Sequence, residues 1–152
     1  MKVLLIDSVD IAVDFFPFVD EALTSSMANL QIATQTVASF FDIPGYLATE
    51  IEEYDDIFVF LTSSSGNRNE INMIIEKLIE LEITFKKRIF KIVKDVTNFS
   101  GTDVGKQELA KEVAQYCSDL ILNPEEIQAK KGTLEPAEAT TTTGGGVMGM
   151  FG

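Results

Sequence analysis

The run Ile57-Phe58-Val59-Phe60-Leu61 passes without a break into Thr62-Ser63-Ser64-Ser65-Gly66-Asn67-Arg68-Asn69-Glu70, and a helical pattern starts at Ile71. Five apolar residues of high β propensity, then a hydroxyl-rich turn with a glycine, describe a buried strand, a tight loop and a helix N-terminus in series. A strand that is apolar on both faces needs cover on both. That is the condition of a parallel sheet enclosed by helices. At such a junction backbone N–H groups face outward with the positive end of the helix dipole. Thr62, Ser63, Ser64, Ser65, Gly66, Asn67 and Arg68 are therefore a candidate loop for an anion or other ligand.

The rest of the chain repeats the alternation. Val3–Ile6 reads as a compact strand. Phe15, Phe18, Val19, Ala22 and Leu23 fall on one helical stripe, with Pro17 suited to a first turn. Gln31–Val37 is β-rich. Ile43, Leu47, Ile51 and Tyr54 share a helix face that starts near Asp42 and Pro44. Ile71, Ile74, Ile75, Leu78 and Ile79 make the next stripe, Arg88–Val96 the next strand, and Ala110, Val113, Ala114 and Cys117 a fourth helix. Leu120–Leu122 reads as a short last strand. Asn123-Pro124-Glu125-Glu126, closed by Lys130-Lys131-Gly132, has the cap, proline, acids, bases and glycine of a short helix. Strands joined by helical crossovers give an α/β fold, a three-layer doubly wound parallel sheet of four to five strands. Ligands in such sheets sit beyond the carboxyl ends of the strands. Asp7, Ser8, Thr36–Ser39, Lys94, Asp95 and Thr97 join the 62–68 loop there as a candidate rim.

Acid–base chemistry is poorly served. The chain has no histidine, and no nucleophile–base pair or metal-ligand spacing is visible. Asp7, Asp10, Asp14, Asp42 and Asp95 are the acids near the site. Asp7, ending a buried strand, is the one expected to have a raised pKa. A net charge of −12 argues against nucleic acid and anionic membranes. No apolar run approaches the ~18–20 residues of a membrane span, which excludes membrane insertion by a helix. Met1–Asp7 reads as a strand and not as a signal peptide. The single cysteine, Cys117, reads as a core residue in a reducing compartment, so a cytoplasmic location is expected.

Residues 133–152 change character. Thr140–Thr143, Gly144–Gly146 and Val147-Met148-Gly149-Met150-Phe151-Gly152 contain no charge and no apolar period. They read as a flexible Thr/Gly tail with an apolar plug, behind a domain spanning 1–132. Val147, Met148, Met150 and Phe151 are its candidate partner-binding residues, because Met and Phe between glycines can enter a narrow apolar groove.

Four segments carry a resemblance. Val3-Leu4-Leu5-Ile6-Asp7-Ser8 with Ala12-Val13-Asp14, then Thr36-Val37-Ala38-Ser39-Phe40-Phe41-Asp42-Ile43-Pro44, Asp55–Leu61 and Leu120–Ile127 together resemble archaeal riboflavin synthase, a relative of lumazine synthase. The resemblance spans about residues 1–132. It implies a flavodoxin-like sheet, a pentamer, and a site for a ribityl-lumazine between neighbouring subunits. The chain departs from that pattern at the site. Thr62–Arg68 stands where the family has a Gly-Met-Pro-Gly-type turn, the proton-transferring histidine is absent, and Val9 and Asp10 replace a stacking aromatic. Losing a matched proton carrier removes on the order of 10²–10⁴-fold in rate. The resemblance thus points to a divergent, catalytically inactive relative. Residues 62–70 are also similar to the Thr-x-Thr-Gly-Asn-Thr phosphate loop of flavodoxins, which there follows the first strand and not the third. The expectation is a non-catalytic accessory protein that docks by its tail on a larger enzyme complex, archaeal and methanogenic by analogy. No cofactor is required by that reading. The alternatives are a flavin- or lumazine-binding enzyme of the riboflavin synthase type and a module that binds FMN or another nucleotide.

Overall fold

The computed structural model describes residues 1–123. It has β1 (Lys2–Ser8), α1 (Phe16–Ser26), β2 (Gln31–Val37), α2 (Ile43–Glu50), β3 (Asp56–Ser63), α3 (Arg68–Phe85), β4 (Arg88–Asp95) and α4 (Asp103–Leu122). Short 3-10 turns at Phe40–Asp42 and Ile51–Glu53 flank α2. The chain divides into two compact units, Met1–Gln115 and a second that begins at Tyr116, inside α4.

The sheet has four strands in the order β2-β1-β3-β4, and each neighbouring pair is parallel. Val3 lies between Ile32 and Asp56, and Ile6 between Gln35 and Val59, which fixes the register. Residues 56–63 are buried throughout, as an apolar run in a central strand must be. The side-chain alternation divides the core. Leu4, Ile6, Ile57, Val59, Leu61 and Ile89 face one way and pack with Ile43, Leu47 and Ile51 near α2 and with Ile71, Ile74 and Leu78 of α3. The opposite face carries Phe58 and Phe60. The ring of Phe60 meets Phe15 at 5.7 Å and Phe16 at 6.0 Å, which places α1 there. Lys94 Nζ meets Glu112 Oε2 at 3.4 Å, so the first turns of α4 lie on the α1 side. This is the three-layer, flavodoxin-like arrangement that the alternating pattern calls for.

At the amino end of the sheet Arg88 clamps Asp56, its cross-strand partner on β3. Nε and Nη2 donate to Oδ1 at 2.9 and 2.8 Å, and Nη2 to Oδ2 at 2.8 Å. Asp56 is buried, so this forked geometry supplies the partner that a desolvated carboxylate requires.

The stripes expected for the helices are seen, with three differences. Tyr54, expected on the face of Ile43, Leu47 and Ile51, lies past the end of the helical segment with extended backbone. Ile79 is exposed, because the wheel carries it past the buried arc that ends at Ile75. Leu120–Leu122 belongs to α4 and is not a strand. No glycine or proline separates it from Cys117, and the buried positions Ala110, Val113, Ala114, Cys117 and Ile121 keep a helical period straight through it. The helix expected from Pro124, the boundary at 132 and the tail lie outside the described residues.

Candidate functional site

A chain that runs β1 to β2 on one side and β3 to β4 on the other leaves a switch point between β1 and β3. The connections leaving these two strands diverge to opposite faces, and their carboxyl ends open a crevice. The rim residues read from the sequence lie along the carboxyl end of the whole sheet, with Lys94 turned to Glu112 of α4. Asp7 and Ser8 close β1, Thr62 and Ser63 close β3, Ser64–Asn67 form the loop into α3, and Asp95 closes β4.

Asp7 is 4% exposed and its Oδ1 accepts from Thr36 Oγ1 at 2.7 Å. Burial pushes its carboxyl above the ordinary value. The Thr36 hydrogen bond opposes that rise, and the nearby Asp14 charge adds to it. Ser8 donates its hydroxyl to Asp10 Oδ1. Asp10 Oδ2 accepts from Phe40 N at 3.4 Å, and Val9 N donates to Val37 O at 2.9 Å. The loop after β1 is thereby fastened to the loop after β2. Ser39 sits at the same end in a different role. Its hydroxyl accepts from Phe41 N at 3.2 Å while its own N–H donates to Asp42 Oδ2 at 3.2 Å, a capping box that opens the turn into α2.

The 62–68 loop closes on itself. Thr62 Oγ1 accepts from Ala12 N at 3.0 Å, which ties it to the β1 loop. Asn67 Oδ1 accepts from Ser64 N at 2.7 Å and from Ser64 Oγ at 3.4 Å, and Asn67 Nδ2 reaches Thr62 O at 3.4 Å. Ser65 and Gly66 form the exposed tip. Gly66 is not required by the backbone: an added Cβ would meet Ser64 Oγ at 3.9 Å and nothing nearer. Arg68 is exposed but paired. Its guanidinium holds the Asp95 carboxylate, and Nη2 donates to Thr97 Oγ1 at 3.4 Å. At Asp95, partial burial raises the pKa, but hydrogen bonds from Thr97 and the charge of Arg68 outweigh it and hold the carboxyl below its ordinary value.

Asp7, Asp10, Asp14, Asp42 and Asp95 all lie at or beside this end, against the single guanidinium of Arg68. Asp95 is neutralised by Arg68 and Asp42 serves the Ser39 capping box, while Asp7, Asp10 and Asp14 have no ion-pair partner among the described residues, so acids outnumber bases at this end. Two apolar groups stand out beside them. Val9 is 72% and Phe41 53% exposed, and the Phe41 ring packs on Phe40 with centroids 4.6 Å apart. The sequence does not mark these two as a surface. The Phe40-Phe41 pair falls in a turn with no period, so nothing in the string says which ring faces out. Among the described residues no group of His, Cys, Asp or Glu has the arrangement to hold a metal. An open depression at the opposite end is lined by Met1, Asp55, Asp56, Lys86, Lys87 and Arg88. Its polar groups serve the strand ends: Lys87 Nζ donates to Tyr54 O at 2.8 Å, beside the Arg88–Asp56 clamp. Among the described residues no helix is long and apolar enough to cross a membrane.

Fold and site define a flavodoxin-like α/β domain with an acidic, hydroxyl-bearing switch point. Comparison with protein-family models and with curated proteins finds no match to this chain.

Proposed function

We propose that the chain is a non-catalytic accessory protein, with a body of riboflavin-synthase-like kind that docks on a larger enzyme complex. Val147, Met148, Met150 and Phe151, which lie outside the described residues, are its docking plug. One observation carries the reading for the body. At the switch point the groups that could do chemistry are engaged by one another: Asp7 with Thr36, Ser8 with Asp10, Asn67 with Ser64, and Arg68 with Asp95. Each of these pairs holds its members in one arrangement, which rigidifies the surface, and none of them joins a nucleophile to a histidine or other base that titrates near neutrality. The exposed Val9 and Phe41 give the same end something to press on a partner. Deleting residues 140–152 tests the plug. The expected result is loss of co-purification with the complex and a melting temperature of the body that moves by no more than a few degrees. A truncated protein that still co-purifies fully assigns recognition to the body.

A second reading has its own support. Ser8, Thr36, Thr62 and Ser64 bring four hydroxyls to the carboxyl end of the sheet beside Asp7 and Asp10, a setting that suits a neutral polyol chain better than a phosphate. A flavin or lumazine held here would be riboflavin-like and not FMN. Fluorescence titration with riboflavin, ribityl-lumazine and FMN separates the cases. Quenching by the first two and not by FMN supports this reading; no response to any of the three removes it. Riboflavin formed from ribityl-lumazine by the purified chain would restore the enzyme reading.

A further inference from the structure

The sheet has two edges, and they are built differently. At β4 the chain carries Arg88, Lys91, Lys94 and Asp95, four charges in eight residues. Glu82 Oε2 accepts from Ile89 N at 3.0 Å and Lys91 Nζ donates to Ile89 O at 2.8 Å, so side chains of α3 and β4 occupy the outward backbone groups of Ile89. Lys91 and Glu82 also pair with each other. Charge and occupied backbone are the standard means of keeping a second strand off an edge.

The residues of β2, Gln31-Ile32-Ala33-Thr34-Gln35-Thr36-Val37, contain no charge, proline or glycine, and among the described residues only the Thr36 carbonyl of their outward backbone groups has a side-chain partner, Gln35. They sit in the stretch Ala22–Phe41, twenty residues without a charged side chain in a chain of which 24% is charged. Gln31 N donates to Met1 O and Val37 O accepts from Val9 N, so the odd-numbered residues turn toward β1. In a parallel pair the alternate residues then aim both N–H and C=O away from it. These are Ile32, Thr34 and Thr36. Among the described residues the N–H groups of all three and the carbonyls of Ile32 and Thr34 have no partner, and Gln35 Nε2 reaches the Thr36 carbonyl at 3.3 Å.

We propose that two copies of this chain join through β2, antiparallel about a two-fold axis at Thr34, into one continuous sheet. The occupant is a second copy for two reasons. The edge is self-complementary in this register: Thr34 exchanges both backbone bonds with its own counterpart, and Ile32 does so with Thr36 of the other copy. And copies of net charge −12 repel over most of their surface, so the uncharged stretch is where they can approach. The exposed Thr34 side chains would face each other directly across the axis.

The test uses the full-length chain and the substitutions Thr34→Lys and Thr34→Glu. Sedimentation of the wild type should give twice the 16.7 kDa chain mass. Each variant alone, with like charges opposed, should sediment as one chain with an unchanged far-ultraviolet circular dichroism spectrum. Mixing the two variants in equal amounts should restore the doubled mass, because the ammonium of one then faces the carboxylate of the other across the axis. An unchanged spectrum in each variant rules out simple unfolding. A wild-type monomer, a mass of five chains, or a dimer indifferent to Thr34→Lys would each overturn the proposal.

Discussion

At the scale of the residue, burial and charge decide more than residue type. Asp7 has a raised pKa, so its charged form is the less favourable one in the folded state. The contribution to stability has a definite sign. Below about pH 3.9 the group is neutral in both states and costs nothing. As pH rises from there through the folded-state value, the unfolded chain ionises first and stability is lost, and the full penalty remains at neutral pH. Asp7→Asn keeps an acceptor for Thr36 and removes the charge. It should therefore raise the melting temperature at pH 7 and leave it unchanged near pH 3. A shift that is the same at both pH values would contradict this linkage. Asp95 runs the other way: its lowered pKa stabilises the fold above the ordinary carboxylate range, and that part is lost as pH falls through the folded value. Gly66 offers a simpler check. Its φ is not positive and space for a Cβ is open, so Gly66→Ala should stabilise by about 0.4–1 kcal/mol through the unfolded chain. Denaturant titration reads this directly. A loss of stability would mean that the tip needs glycine after all.

At the scale of the element, the strands and helices were legible because their signals are local. The apolar run at Ile57–Leu61 has one consistent placement, in the middle of a parallel sheet, and it lies there beside β1. Ile43, Leu47 and Ile51, and Ile71, Ile74 and Leu78, repeat at helical spacing and are buried on that spacing. Leu120–Leu122 fits a strand as well as a helix because three apolar residues suit either period, and the deciding fact is the absence of a break after Cys117. The site was legible in position and not in wiring. That Thr62–Arg68 ends up at the carboxyl edge follows from strand–loop–helix order. That Arg68 spends its charge on Asp95 depends on how the start of α3 docks against the end of β4, 27 residues on, and that Thr36 spends its hydroxyl on Asp7 depends on the β1–β2 register across 29 residues, which no local pattern carries. The Ser39 capping box lies between, since its Ser and Asp are three residues apart and could be read from the string. Ser39→Ala should cost about 0.5–2 kcal/mol, the usual worth of a cap. A chevron or equilibrium melt showing no loss would make the box ornamental to α2.

At the scale of the whole molecule, charge is the governing quantity. Twenty-four acids face twelve bases, and five of the acids, Asp7, Asp10, Asp14, Asp42 and Asp95, lie at or beside the carboxyl end of the sheet. The bases that hold structure do so in tight pairs, Arg88 with Asp56 and Lys91 with Glu82, which are partly shielded from solvent. Salt acts on these two populations unequally. Going from ~0.01 to ~0.15 M ionic strength shortens the screening length from about 30 to about 8 Å. That removes most of the repulsion among distant exposed carboxylates and little of the attraction inside a close, half-buried pair. The folded chain should therefore melt a few degrees higher in the saltier buffer at pH 7. A fold held mainly by exposed ion pairs would do the reverse. The same reasoning extends to association. An uncharged edge gains nothing from opposite charge across the axis, so salt should only relieve the repulsion between the two acidic bodies. Sedimentation across the same range should show the doubled mass persisting to lower protein concentration as salt rises. Dissociation by salt would mean that the copies meet through charges, away from β2.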